Sequence, residues 1–187
     1  MEGYRIAQKI LRKSGGLREP DAIAECLGIE VYEFDLCNLK GMYSSADRHR
    51  TIFLNERLQG YMRRFVFLHE IAHDQIPEHR ERAKCKPYQK IQFFGGIDKS
   101  EREANSIVAH LLIDDDQMIE LIQEGLSIPE IARQLLVPED LLLIEIEDYH
   151  KVRPDRLGVY YDKLHRPANG AYLKNTDFGS KYDSMEW

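Results

Sequence analysis

Residues 69 to 73 read His-Glu-Ile-Ala-His and follow the apolar run Phe65-Val-Phe-Leu68. On a helix, positions i and i+4 share a face, so His69 and His73 can offer two imidazoles to one divalent metal. Glu70 projects near that metal without having to bind it, which suits a general base. This is the layout of two zinc ligands and a carboxylate acting on a water at the open position. Chance gives His-Glu-x-x-His in about one chain in a hundred of this size. In a mostly apolar helix, charges left unpaired at these positions would be costly.

The motif needs a helix, and Gln59 to Gln75 reads as one. Met62, Phe65, Val66, Leu68, Ile71 and Ala72 recur at i, i+3, i+4 spacing, and Pro77 ends the run. A catalytic zinc wants a third protein ligand. The stretch Ser100 to Ile113 offers two glutamates, Glu101 and Glu103, on a helix with Ser100 as expected N-cap and Ala104, Ile107, Val108, Leu111 and Leu112 as buried stripe. Glu103 stands at the capping-box position, where it can reach back to the Ser100 amide. Glu101 has no such local partner, and Asn105 lies one turn along the same face, placed to hydrogen bond a ligand imidazole. Residue 103 points about 160 degrees away from 101, so one glutamate at most faces the histidines. The reading favours Glu101 and keeps Glu103 as the alternative.

His69-Glu-Ile-Ala-His73, then Glu101-Arg-Glu-Ala-Asn105 and Leu111-Leu-Ile113, resembles the ImmA/IrrE family of metallo-endopeptidases. Pro20 to Val31 is similar to the family's opening helix and first strand, and Gly41-Met-Tyr43 through Thr51-Ile-Phe-Leu-Asn55 to its hairpin. Asp114 to Tyr149 is similar to the helical tail of immunity-type members, so the likeness covers residues 5 to 150. Two positions depart from the pattern. Ala72 stands where the family usually has Gly, and Leu-Leu-Ile-Asp replaces a Leu-Leu-Met-Pro-like ending; neither touches a ligand. The resemblance implies an α+β, gluzincin-like, mostly helical domain with a small antiparallel sheet beside the HExxH helix. It implies a Zn2+ cofactor held by His69, His73 and a glutamate, with Glu70 as catalytic base. It further implies narrow cleavage of a helix-turn-helix transcriptional repressor, as in mobile-element members. On this reading residues 1–150 form one metallopeptidase-like domain with helical tail 114–150, and 151–187 a partly irregular extension.

Bulk composition fits a cytoplasmic enzyme. The net charge of -6 argues against a general nucleic-acid surface. No apolar run approaches the span of a bilayer, and the first residues carry no secretory apolar core. Cys26, Cys37 and Cys85 show no paired short spacing and read as reduced thiols. Cys85 reads as exposed rather than as a metal ligand with His79. Residues 77 to 99 read as a polar loop that either borders the cleft or is a disordered connection between the two ligand helices. Ser127 to Asp148 imitates a helix-turn-helix DNA reader, but its second helix carries Glu139, Asp140, Glu145, Glu147 and Asp148 with no Lys or Arg before Lys151, so direct DNA binding is not expected. Tyr160, Tyr161 and His165 are possible oxyanion donors, and an extended substrate could join an edge of the sheet. The rival reading is a non-catalytic, partner-binding regulator with a vestigial metal site. A structural zinc, however, is usually closed by four protein ligands, often Cys, and none lies near the motif.

Overall fold

Apolar residues at helical spacing build most of the chain, and one region of three short strands builds a sheet in which the strand Thr51–Asn55 is the most buried. The computed structural model describes residues 2–46, 49–84 and 99–164. Helix α1 (Glu2–Lys13) and α2 (Pro20–Leu27) come first. Pro20 opens α2 at a position where its missing N–H costs nothing, and Gly28 closes it with a φ of 66°, the left-handed conformation glycine adopts most readily.

Strands β1 (Glu30–Phe34), β2 (Gly41–Ser44) and β3 (Thr51–Asn55) follow, in the order β1-β3-β2. β2 and β3 pair antiparallel, with Tyr43 opposite Ile52. β1 pairs with β3 in parallel, Val31 beside Ile52. The sheet is therefore mixed, not the purely antiparallel one expected. Sequence alternation marks strands but not their order, and here β3 enters between its two predecessors. The loop that carries the chain past it is held by Asn55, whose side-chain amide donates to the carbonyls of Cys37 (3.2 Å) and Leu39 (2.8 Å).

Helix α3 (Gly60–Gln75) carries the His-Glu-x-x-His residues and lies on β2 and β3. After Ile76, Pro77 starts a short helix α4 (Pro77–Ala83), where a loop was expected. The proline that ends one helix is also well suited to the first turn of the next. Cys85 lies outside the described residues. Helix α5 (Lys99–Leu112) is packed by α1, α3 and α8. It starts one residue before Ser100, the cap expected from the sequence, and the residues preceding it lie outside the described ones. Gly3 lets α1 approach α5 closely: a Cβ there would stand 2.9 Å from the Ser106 Cβ. The end of α5 is closed by Arg18, whose Nη1 donates to the carbonyls of His110, Leu111 and Ile113 at 2.9–3.1 Å.

Helices α6 (Asp115–Gln123), α7 (Ile128–Leu135), α8 (Glu139–Val152) and α9 (Pro154–Leu164) form the tail. Asp114 caps α6 by accepting from the Asp116 and Gln117 amides, and Glu130 accepts from the Ser127 amide at the start of α7. Among the described residues two buried apolar clusters result. One joins α1, α2, the sheet, α3 and α5 through Ile10, Ile23, Ile52, Phe65 and Ile107. The other gathers α6 to α9 around Met118, Ile131, Ile146 and Leu157. Leu112, at the end of α5, packs against both. Among the described residues no helix is long and apolar enough to cross a membrane.

Candidate metal centre

The last turns of α3 are apolar on every side, Phe65 to Leu68 and Ile71 to Ala72 being buried, so the polar residues between them are buried as well. His69, Glu70, His73 and Asp74 are each at most 1% exposed. Buried groups of this kind must find partners; His69 and His73 share Glu101, while Glu70 and Asp74 turn elsewhere.

His69 and His73 lie one turn apart, rings edge to face, with their Nε2 atoms 3.0 Å from each other. From α5, Glu101 reaches the same point: its Oε2 is 3.2 Å from His69 Nε2 and its Oε1 is 3.9 Å from His73 Nε2. The three ligand atoms lie within 4.8 Å of one another. Glu101 is 1% exposed, whereas Glu103 is half-buried on another side of α5. Asn105 is buried one turn beyond Glu101, and neither its amide atoms nor His69 Nδ1 makes a hydrogen bond among the described residues.

Glu70 faces the sheet. Gly41 of β2 comes so near that a Cβ there would stand 2.7 Å from Val66 Cγ1 and 3.1 Å from Glu70 Oε1. Burial, and then the charge of Glu101, push the Glu70 carboxyl well above its usual range. Its Oε2 has no hydrogen-bond partner among the described residues. Two residues along β2, Tyr43 meets Asp74, four residues along α3. Two strand residues rise about 6.8 Å and four helix residues about 6 Å, so strand and helix stay in step over this contact.

Asp74 is the centre of a buried network that the sequence reading missed. Tyr43 Oη donates to its Oδ1 at 2.7 Å, and Arg50 Nη1 and Arg80 Nη2 stand 3.1 and 3.4 Å from its Oδ2. Arg50 also donates to the Leu27 and Gly28 carbonyls at the end of α2. One carboxylate thus ties the motif helix to β2, α2 and α4. Burial, and then Asp74, push the Tyr43 phenol far up, so it stays a donor.

His79 is a second residue the sequence reading misplaced. Read as part of a polar loop, it is instead buried on α4, with its Nδ1 2.7 Å from His73 Nδ1. One of the two rings must donate and the other accept. Burial, then His69 and His79, hold His73 well below the ordinary imidazole range, so it is neutral at pH 7. The only sequence signal was the six-residue spacing from His73, which bears on the site only once α4 folds back.

Of the proposed oxyanion donors, Tyr160 and Tyr161 pack against the tail cluster, with Tyr161 stacked on His150 at 3.9 Å. His165 lies outside the described residues.

A second group of potential ligands lies further along α5. His110, Asp115 and Glu145 also bring their ligand atoms within 4.8 Å of one another.

The family described as IrrE N-terminal-like domain, a peptidase family, matches residues 24–153. "Uncharacterized immunity region protein 2" of Bacillus phage phi105 is 29% identical over 138 residues, which span 73% of this chain and 85% of that protein.

Proposed function

The chain belongs to the IrrE N-terminal-like peptidase family, and from that premise we propose that it is a zinc-dependent endopeptidase of narrow specificity that cleaves a helix-turn-helix transcriptional repressor in the cytoplasm. The observation that carries the reading is the convergence of His69, His73 and Glu101 beside the buried Glu70. Two ligands bonded to one tetrahedral zinc at 2.0–2.1 Å stand about 3.3 Å apart. The separations here, 3.0, 3.2 and 3.9 Å, bracket that spacing. Two imidazoles and one carboxylate are also the donor set of a catalytic site that keeps a position open.

His69 Nε2, His73 Nε2 and the Glu101 carboxylate hold the metal in this reading. When bound, zinc supplies a Lewis acid that makes a water acidic near neutral pH and polarises a carbonyl. The protein's own groups do the rest. His73 donates its Nδ1 proton to His79 Nδ1, which leaves the Nε2 lone pair free and fixes the ring. Asn105, buried one turn beyond Glu101 and without a hydrogen bond among the described residues, has its amide available to a ligand imidazole once the metal is held. Glu70, raised by burial and held from behind by Gly41, accepts the proton of the attacking water and returns it to the departing amide nitrogen. Among the described residues β2 is an outer strand of the sheet, beside Glu70, and an extended segment of substrate can approach along it. The phage relative is named for an immunity region, which supports a repressor as substrate.

The test is Glu70→Gln. The variant keeps the three ligands and is expected to retain zinc while losing cleavage of a co-expressed helix-turn-helix repressor by on the order of a hundredfold or more. Undiminished cleavage in Glu70→Gln, or wild-type protein that takes up no zinc at His69 and His73, overturns the proposal.

A further inference from the structure

The polar group at the junction of α5 with the tail has no part in the chemistry above. His110 comes from α5, Asp115 from the first turn of α6 and Glu145 from α8. His110 is 2% exposed and Glu145 fully buried, while Asp115 is half-buried and opens the group toward solvent. His110 Nδ1 approaches Glu145 Oε2 to 2.5 Å. Yet neither ring nitrogen and neither Glu145 oxygen has the alignment of a hydrogen bond to any partner among the described residues. Buried polar atoms left in that state are costly. Atoms this close need a positive charge between them, and a divalent cation meets that need as a proton does.

The surroundings fit the same reading. On the far side of the ring, Asp148 Oδ2 stands 3.8 Å from His110 Nε2 and is itself held by the Ser106 hydroxyl at 2.7 Å. A carboxylate behind the outer nitrogen is the usual support of a metal-bound imidazole, because it keeps the proton on that nitrogen and the lone pair on the other. Tyr4 sets its ring edge-on to His110 at 4.9 Å and limits how the imidazole can turn. The donor set, one nitrogen and two carboxylates, suits zinc or a similar divalent transition metal better than magnesium or calcium, which prefer oxygen alone.

We propose that His110, Asp115 and Glu145 form a second divalent-metal site, structural in role, that clips the tail helices α6 and α8 to the helix bearing Glu101. It is independent of the peptidase reading. The site would bind metal even if His69 and His73 did not. Loss of metal there would loosen the tail from α5 at the end where Leu112 joins the two apolar clusters.

The experiment is a zinc titration of the full chain after chelator treatment, with zinc counted per chain and the thermal midpoint followed. Wild type is expected to bind two zinc ions. His69→Ala/His73→Ala is expected to bind one and to gain several degrees in its midpoint when zinc is added. Adding His110→Gln to that variant should remove the second ion and the zinc-induced gain. Should His110→Gln fail to fold, Asp115→Asn, at the open side of the group, is expected to weaken zinc binding tenfold or more in the same background. A folded His69→Ala/His73→Ala chain that binds no zinc overturns the proposal and makes the group a closed His110–Glu145 ion pair. One ion in wild type that persists in His69→Ala/His73→Ala and leaves with His110→Gln would uphold this site and overturn the peptidase reading instead.

Discussion

Helix α5 takes part in two buried polar clusters, and one histidine of each, His73 in the first and His110 in the second, is driven in the direction opposite to the other. At its start, Glu101 meets His69 and His73, and burial together with neighbouring imidazoles holds His73 well below the ordinary range. Near its end, His110 meets Glu145 and Asp148. There burial alone would lower the imidazole, but the two carboxylates outweigh it and raise His110 to about 9. Depth of burial is nearly equal in the two places, so the difference comes from the ratio of imidazoles to carboxylates. At His73 the first cluster keeps a neutral nitrogen lone pair ready for a cation. The second favours a positive charge between its carboxylates, whether a proton or a metal supplies it.

The sharpest way to break this comparison is at Glu101. Glu101→Ala is expected to lose zinc from the first cluster and with it cleavage by a hundredfold or more, while Glu103→Ala keeps both. Zinc content and repressor cleavage, measured on the two variants in parallel, decide it. Retention in Glu101→Ala with loss in Glu103→Ala would reverse the assignment without touching His69, Glu70 or His73.

Asp74 tests what holds the first cluster in place. Asp74→Ala leaves Tyr43 buried without its acceptor and Arg50 and Arg80 without a counter-charge. Removing one partner of a buried pair costs about 3–5 kcal/mol, and the partial exposure of both arginines puts the expected loss near about 3 kcal/mol in urea unfolding. A loss under about 1 kcal/mol would mean that the network is incidental to the position of α3.

Gly41→Ala addresses the back of Glu70. The new methyl group must displace Val66 or the Glu70 side chain. Cleavage is expected to fall about tenfold with zinc retained, about 1.4 kcal/mol in the barrier. Unchanged kinetics would show that the carboxylate tolerates the shift.

The smallest effect concerns the second cluster and is read with chelator present. The folded chain holds the His110 proton up to about 9, while an unfolded imidazole releases it near 6.5. The stability this contributes is complete below about 6.5 and is lost as pH rises toward about 9. Unfolding free energy should therefore decline across that window, and the decline should be shallower in His110→Gln. Equal slopes in both proteins would refute the view that Glu145 and Asp148 raise this histidine.

Much of the architecture was legible from the residues. The 3.6-residue recurrence gave α3 and α5, Gly28 gave the end of α2, and Ser127 with Glu130 gave the start of α7. Each is decided within one or two turns of chain, so local patterns suffice. The pairing of β1 with β3, the fold-back of α4 and the burial of acidic α8 residues against α5 were not legible, because each depends on contacts between segments far apart in the chain.

The sequence by itself determined that His69 and His73 share a helix face, that Glu70 is their neighbour, and that Glu101 and Asn105 lie one turn apart, since these follow from helix geometry alone. Only the tertiary structure decided that Glu101 rather than Glu103 comes within 3.2 Å of His69. It also decided that His79 backs His73, and that Tyr43, Arg50 and Arg80 close on Asp74. The physical reason is one of range. Helical periodicity fixes directions within a segment, but which buried charge finds which partner is set by the packing that removes water from around all of them.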